Sequence, residues 1–150
     1  MKKLLMSVGV LLCLNANAQW TNKNVNNDFD DPYRICYTES NDNNYLKLEN
    51  LNGEIYFFMK GGYYCDENPI IDLAFIVNGV SKKYSIDGRI STSGEVLYIS
   101  DNLLSNADMV LDFKTCSVLK VRLNDSVCGT KTYTFSMSGS TSAINFILNK

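Results

Sequence analysis

Cysteines, clustered carboxylates and tyrosines are the side chains that could do chemistry in this 150-residue chain, which holds no histidine. That absence removes Ser-His-Asp and Cys-His catalysis, histidine-ligated zinc and most proton transfer near neutral pH. Paired carboxylates are the main acid–base route left. Asp28, Asp30 and Asp31 form the densest acidic cluster, with Asp66-Glu67 a second. Neither has the D-x-[DN]-x-[DN]-G spacing and distant Glu of an EF-hand, so they read as solvated turn acids. No catalytic residue, metal ligand or cofactor is assigned.

The cysteines point elsewhere. Of the five, Cys13 falls within Met1 to Ala18, a segment with the three parts of a secretory signal. Lys2 and Lys3 form its positive end, Leu4 to Leu14 its apolar run, and Ala16-Asn17-Ala18 a small-x-small cleavage site. The run is shorter than the about 20 residues of a membrane-spanning helix, so no retained span is expected. Leu12 before Cys13 is too bulky for a lipid-attachment site. In an oxidising compartment the remaining four, Cys36, Cys65, Cys116 and Cys128, read as a disulfide framework, and none sits in a C-x-x-C pair. Four cysteines allow three connectivities. The favoured one is sequence-local, Cys36–Cys65 with Cys116–Cys128.

Nine tyrosines are spread along the chain. Tyr63-Tyr64 follows Gly61-Gly62 on an expected loop tip, where rigid aromatic area suits contact with a protein or a sugar. Tyr63, Tyr64, Asp66 and Glu67 are the candidate contact surface. Asn124-Asp-Ser126 is a glycosylation sequon by letter only, and Gly139 alone is no phosphate loop.

The elements that must hold these residues are mostly strands. Short β-branched and aromatic runs at Ile35–Thr38, Tyr45–Leu48, Ile55–Met59, Ile71–Val77, Ser81–Ile86, Val96–Ile99, Val118–Leu123 and Lys131–Met137 alternate with turn signals. Asn52-Gly53, Asn78-Gly79 and Asp87-Gly88 suit tight hairpin turns, and Gly61-Gly62 marks another break. Ile55-Tyr-Phe-Phe-Met59 is apolar on both faces and predicts a central strand. Ser105-Asn-Ala-Asp108 matches a capping box and predicts a helix from Asn106 to Thr115. Ala143, Ile144, Ile147 and Leu148 form the apolar stripe of a terminal helix within 139–149. The expected architecture is mainly β: an antiparallel sandwich with two short helices. Its parts are a signal peptide (1–18), an extended N-terminal arm anchored by Trp20 (19–34) and one disulfide-stapled domain (35–150).

Three stretches together resemble a diffuse family of exported bacterial domains. They are Trp20 followed by Asp28-Phe-Asp-Asp-Pro-Tyr33, then Leu111-Asp-Phe-Lys-Thr-Cys-Ser-Val-Leu-Lys-Val-Arg122, then Tyr133-Thr-Phe-Ser-Met-Ser-Gly-Ser-Thr-Ser-Ala-Ile144. The pattern is similar to the periplasmic VasI-like proteins associated with type VI secretion, and more loosely to the invasion-associated locus B proteins. The resemblance implies an extracytoplasmic β-sandwich acting by contact, with Phe135, Gly139, Ala143 and Ile144 as fold determinants. Fourteen basic against sixteen acidic residues, twelve against sixteen once the leader is gone, argue against a nucleic-acid partner. The resulting expectation is an exported, non-enzymatic binding or accessory protein, periplasmic or secreted, contacting a protein or glycan of the cell envelope. The alternatives are a carboxylate hydrolase of envelope glycans using Asp30, Asp31 or Glu67, and a structural subunit of a surface or virion assembly.

Overall fold

The computed structural model describes residues 20–26, 31–40, 44–99 and 106–149. The expected signal segment, Asp28, Asp30 and Ser105 lie outside the described residues. Within them the chain is mainly β with two short helices, as its patterning predicts. The strands are β1 (Thr21–Val25), β2 (Tyr33–Glu39), β3 (Tyr45–Leu51), β4 (Glu54–Lys60), β5 (Ile70–Val77), β6 (Val80–Ile90) and β7 (Val96–Ile99). Helix α1 (Ala107–Thr115), β8 (Val118–Asp125), β9 (Gly129–Ser136) and α2 (Ser140–Leu148) follow. All neighbours pair antiparallel in one sheet of order β1-β2-β3-β4-β7-β6-β5-β8-β9.

Alternation builds the sheet. In β4, Ile55, Phe57 and Met59 are buried while Tyr56 and Phe58 face the other side, and β4 sits between β3 and β7 as a central strand. Asn52-Gly53 and Asn78-Gly79 make their hairpins with φ positive at both residues. Asp87-Gly88 does not turn. The strand runs through it, and β6 serves two partners: Val80 to Asp87 pair with β5, Gly88 to Ile90 with β7. Gly88 is there for close approach, since a Cβ would lie 2.3 Å from Cδ1 of Ile71 and 3.1 Å from Cδ1 of Leu97. The strands therefore join as one sheet through β6.

The expected arm contains β1, which pairs along β2 from Thr21–Tyr37 to Val25–Tyr33. Trp20 is buried and anchors it, as expected. Helix α1 starts at Asn106, whose side chain accepts from the N–H groups of Asp108 and Met109. The cap is this amide; Ser105, which the capping-box pattern placed as the cap, lies outside the described residues. Phe113 of α1 stands between Phe57 and Phe75, with ring centroids 6.0 and 4.8 Å away in edge-on geometry. Asp112 beside it is fully buried and accepts from Lys82 Nζ and Tyr84 Oη, both at 2.6 Å. That contact pushes the Tyr84 phenol up to about 12, Asp112 being the main cause. Helix α2 buries Ala143, Ile144 and Ile147. Its end is held where Asn50 Nδ2 donates to the Ile147 carbonyl at 2.8 Å and Arg34 Nη1 to that of Phe146 at 3.4 Å.

The disulfide framework is half of what the cysteine count implies, and its pairing differs. Cys65 is bonded to Cys128, while Cys36 and Cys116 are buried thiols. Cys116 and Cys128 flank β8, whose eight residues span about 26 Å, so closeness in sequence puts them at opposite ends. Cys36 faces the core opposite Leu48, in the middle of β2, whereas Cys65 lies in the loop beyond β4. Burial pushes both free thiols up to about 12.

Gly88→Ala is expected to destabilise by about 1–3 kcal/mol through overpacking. The measurement is the urea midpoint at unchanged slope. An unshifted midpoint would show that Ile71 and Leu97 do not meet at this strand.

Candidate functional site

The loop over residues 61–69, between β4 and β5, carries all four candidate contact residues, and its geometry follows from how it is tied down. Asp125, at the end of β8, is 4% exposed. Its Oδ1 accepts from the N–H groups of Val127 and Cys128 at 2.8 and 2.7 Å, an Asx turn. Its Oδ2 accepts from those of Cys65 and Asp66 at 2.8 and 3.2 Å. Burial works against ionisation, but these four donors outweigh it and hold the carboxyl down at about 2. Asp66 answers from the loop side. Its Oδ2 accepts from Ser126 Oγ at 2.6 Å and its Oδ1 from the Asn68 N–H at 3.1 Å. The Ser126 bond first, then Asn68, keeps Asp66 below the usual carboxylate range. The Cys65–Cys128 bond, Cα–Cα 5.6 Å, joins the same two segments.

The other side of the loop rests on the β6–β7 turn. The Tyr64 N–H donates to the Gly94 carbonyl at 2.8 Å, and the Ile90 N–H to that of Glu67 at 3.1 Å. Lys131 Nζ donates to the Tyr63 carbonyl, and Tyr133 Oη to that of Gly61. Gly94, at φ +71°, lies under the Tyr63 ring, whose nearest atom would sit 2.7 Å from a Cβ.

The two tyrosines part company. Tyr63 is 63% exposed, whereas Tyr64 is 2% exposed. Tyr64 is therefore core, not contact surface: its ring is buried with its hydroxyl beside Gly61 and Tyr133, and burial pushes that phenol upward. Asp66 is half-buried and its oxygens are engaged, so it braces the loop; Glu67 is exposed. Between the loop and the β6–β7 hairpin lies a cleft of about 430 Å³. Tyr63, Glu67 and Asn68 line one side; Arg89, Thr92 and Tyr98 line the other. Asp31 is exposed and does not line it.

Arg89, Tyr98 and Asp125 carry this site without having been legible as site residues. Arg89 and Tyr98 become neighbours only through the β6–β7 register. Asp125 does have a local signal, since Asp followed by Ser-Val-Cys is an Asx-turn pattern. The sulfurs of Cys65 and Cys128 and a carboxylate oxygen of Asp125 lie within 4.8 Å of one another. The sulfurs are bonded to each other and both Asp125 oxygens accept two N–H groups, so this trio serves as a staple.

The fold and site define a mainly-β domain with one disulfide and a polar, aromatic-walled cleft. Among the described residues no helix is long and apolar enough to cross a membrane. Comparison with known proteins returns no matching family model, no matching curated protein and no matching solved structure.

Replacing Cys65 and Cys128 together with Ser reopens a crosslink across 63 positions and is expected to cost about 4 kcal/mol on chain-entropy grounds. Urea melts of the variant against the oxidised protein measure it. The pH dependence has a definite sign. The folded carboxyl of Asp125 sits at about 2, below its unfolded value of about 3.9. Its contribution is complete above the unfolded value and is lost as pH falls towards 2. Thermal melts should therefore drop across that window, and Asp125→Asn should lower the melt at neutral pH and flatten the drop. The flattening is partial because Asp72 titrates in the same range, held at about 2 by Ser85, Arg122 and Asn124.

Proposed function

We propose that this chain is an exported binding or accessory domain that acts by contact, without turnover, on a protein or glycan of the cell envelope. The observation that carries the reading is Tyr63: an exposed ring on a backbone held by a disulfide, a four-donor carboxylate and a lysine. A recognition loop fixed before its partner arrives loses little conformational freedom on binding, so its contacts are expressed as affinity. The disulfide supports an oxidising compartment. The kinship with VasI-like and invasion-associated locus B domains is proposed on the same footing, resting on three short sequence stretches.

The test is capture from a solubilised envelope extract by immobilised oxidised protein. Tyr63→Ala is expected to abolish capture with an unchanged melt. Tyr64→Ala is expected to lose about 3–5 kcal/mol of stability, as aromatic core truncations do. Capture unaffected by Tyr63→Ala would remove the loop as the contact site. Release of reducing ends from peptidoglycan by the purified protein, lost in Glu67→Gln, would establish the hydrolase in its place.

A further inference from the structure

Several charged side chains of this domain are paired internally. Asp72 is held by Arg122, Ser85 and Asn124; Lys47 by Glu49 at 2.7 Å; Lys82 by Asp112. The cleft differs. Among the described residues the side chains of Arg89, Glu67, Asn68 and Thr92 enter no hydrogen bond or ion pair, yet all four line the same concavity. Together they offer donors and acceptors in mixed order: a five-donor guanidinium, a carboxylate, an amide and a hydroxyl.

Two rings flank these groups. Tyr63 lies on Gly94 at one wall, and Tyr98 stands at the other, paired in register with Arg89. Tyr98 is backed by Phe58, 6.4 Å between centroids, and Phe58 is covered by Lys47 Nζ at 4.4 Å from its centroid. Phe58 does not line the cleft, whose aromatic wall on that side is Tyr98.

From this geometry we infer that the cleft is a binding site for a neutral saccharide, about one to two sugar units filling it. A sugar presents apolar C–H faces that lie on aromatic rings and hydroxyls that both donate and accept, which matches both halves of the lining. Polyanions fit poorly, because Asp66 and Glu67 outnumber Arg89 at the lining and supply no excess of positive charge. A folded protein surface fits less well than a small ligand. The cleft is concave, and its volume of about 430 Å³ falls within the range of about 300–1,000 Å³ typical of small-ligand pockets. The inference rests on the cleft being the contact site and names the chemistry of what it contacts.

The experiment is a titration of isotope-labelled, oxidised protein with cello-, malto- and chito-oligosaccharides, followed by amide chemical shifts. Saturable shifts confined to loop 61–69 and the β6–β7 hairpin are expected with at least one of these series. Arg89→Ala should weaken that binding about tenfold or more, the loss of hydrogen bonds to a charged donor. Arg89→Lys should recover only part, because the forked geometry is lost. Tyr98→Ala should abolish binding. If Tyr98→Ala alters the fold, Thr92→Ala, a truncation at an exposed position, replaces it and should weaken binding. No shift with any of the three series, or shifts that survive Arg89→Ala unchanged, would overturn the saccharide assignment. Tyr63-dependent capture of a protein in that event would leave the contact reading standing while this one falls. Loss of both would remove the cleft as a site.

Discussion

Four backbone N–H groups converge on the carboxylate of Asp125, two from the turn after β8 and two from a loop about sixty positions earlier. A buried carboxylate is costly unless its lone pairs are filled, and here they are filled by main-chain donors that would otherwise be unsatisfied themselves. One side chain thereby satisfies two turns and fixes their separation. The Cys65–Cys128 bond and the Asp66–Ser126 hydrogen bond span the same gap. Everything presented by loop 61–69 inherits its position from this junction: the outward Tyr63, the inward Tyr64 and the Glu67 edge of the cleft.

The rest of the fold supplies the opposite wall. Strand β6 changes partner at Gly88, where the missing side chain lets Ile71 and Leu97 close in. Past that point Arg89 and Ile90 run along β7, and this short pairing sets Arg89 beside Tyr98. Inside, Phe113 joins β4 to β5 through edge-on rings, and Asp112 ties the same helix to β6. Core and cleft are thus coupled through β6, buried at Gly88 and lining the site at Arg89.

Strand positions were legible because period-two alternation and Asn-Gly turns are local signals, so eight of the nine strands follow from them. Strand β1 was not. Thr21-Asn-Lys-Asn-Val25 has no apolar alternation, and it becomes a strand only because β2 offers an edge and Trp20 a buried anchor. A polar edge strand of this kind also discourages pairing with other chains. Gly88 misleads for a related reason: Asp-Gly encodes permission for a turn, while the approach of Ile71 is a tertiary fact. Of the candidate contact residues, Tyr63 and Glu67 are where a loop-tip reading puts them. Tyr64 is buried beside Gly61 and Tyr133, and Tyr133 lies about seventy positions away. Arg89 and Tyr98 are invisible as a pair until the register is known.

The two kinds of cysteine complete the picture. Disulfide exchange proceeds through a thiolate, and burial holds Cys36 and Cys116 up at about 12, where almost none exists at neutral pH. They are buried in the core, so in the folded protein they do not attack the Cys65–Cys128 bond. An even cysteine count suggested two bridges; burial turns it into one bridge and two inert core residues. The single bridge joins loop 61–69, one wall of the cleft, to the turn after β8. In an oxidising compartment the loop is therefore held by covalent and hydrogen-bonded ties at once. Without the covalent tie the loop would still be held by Asp125, by Asp66 with Ser126, by Tyr64 on Gly94, and by Lys131 and Tyr133.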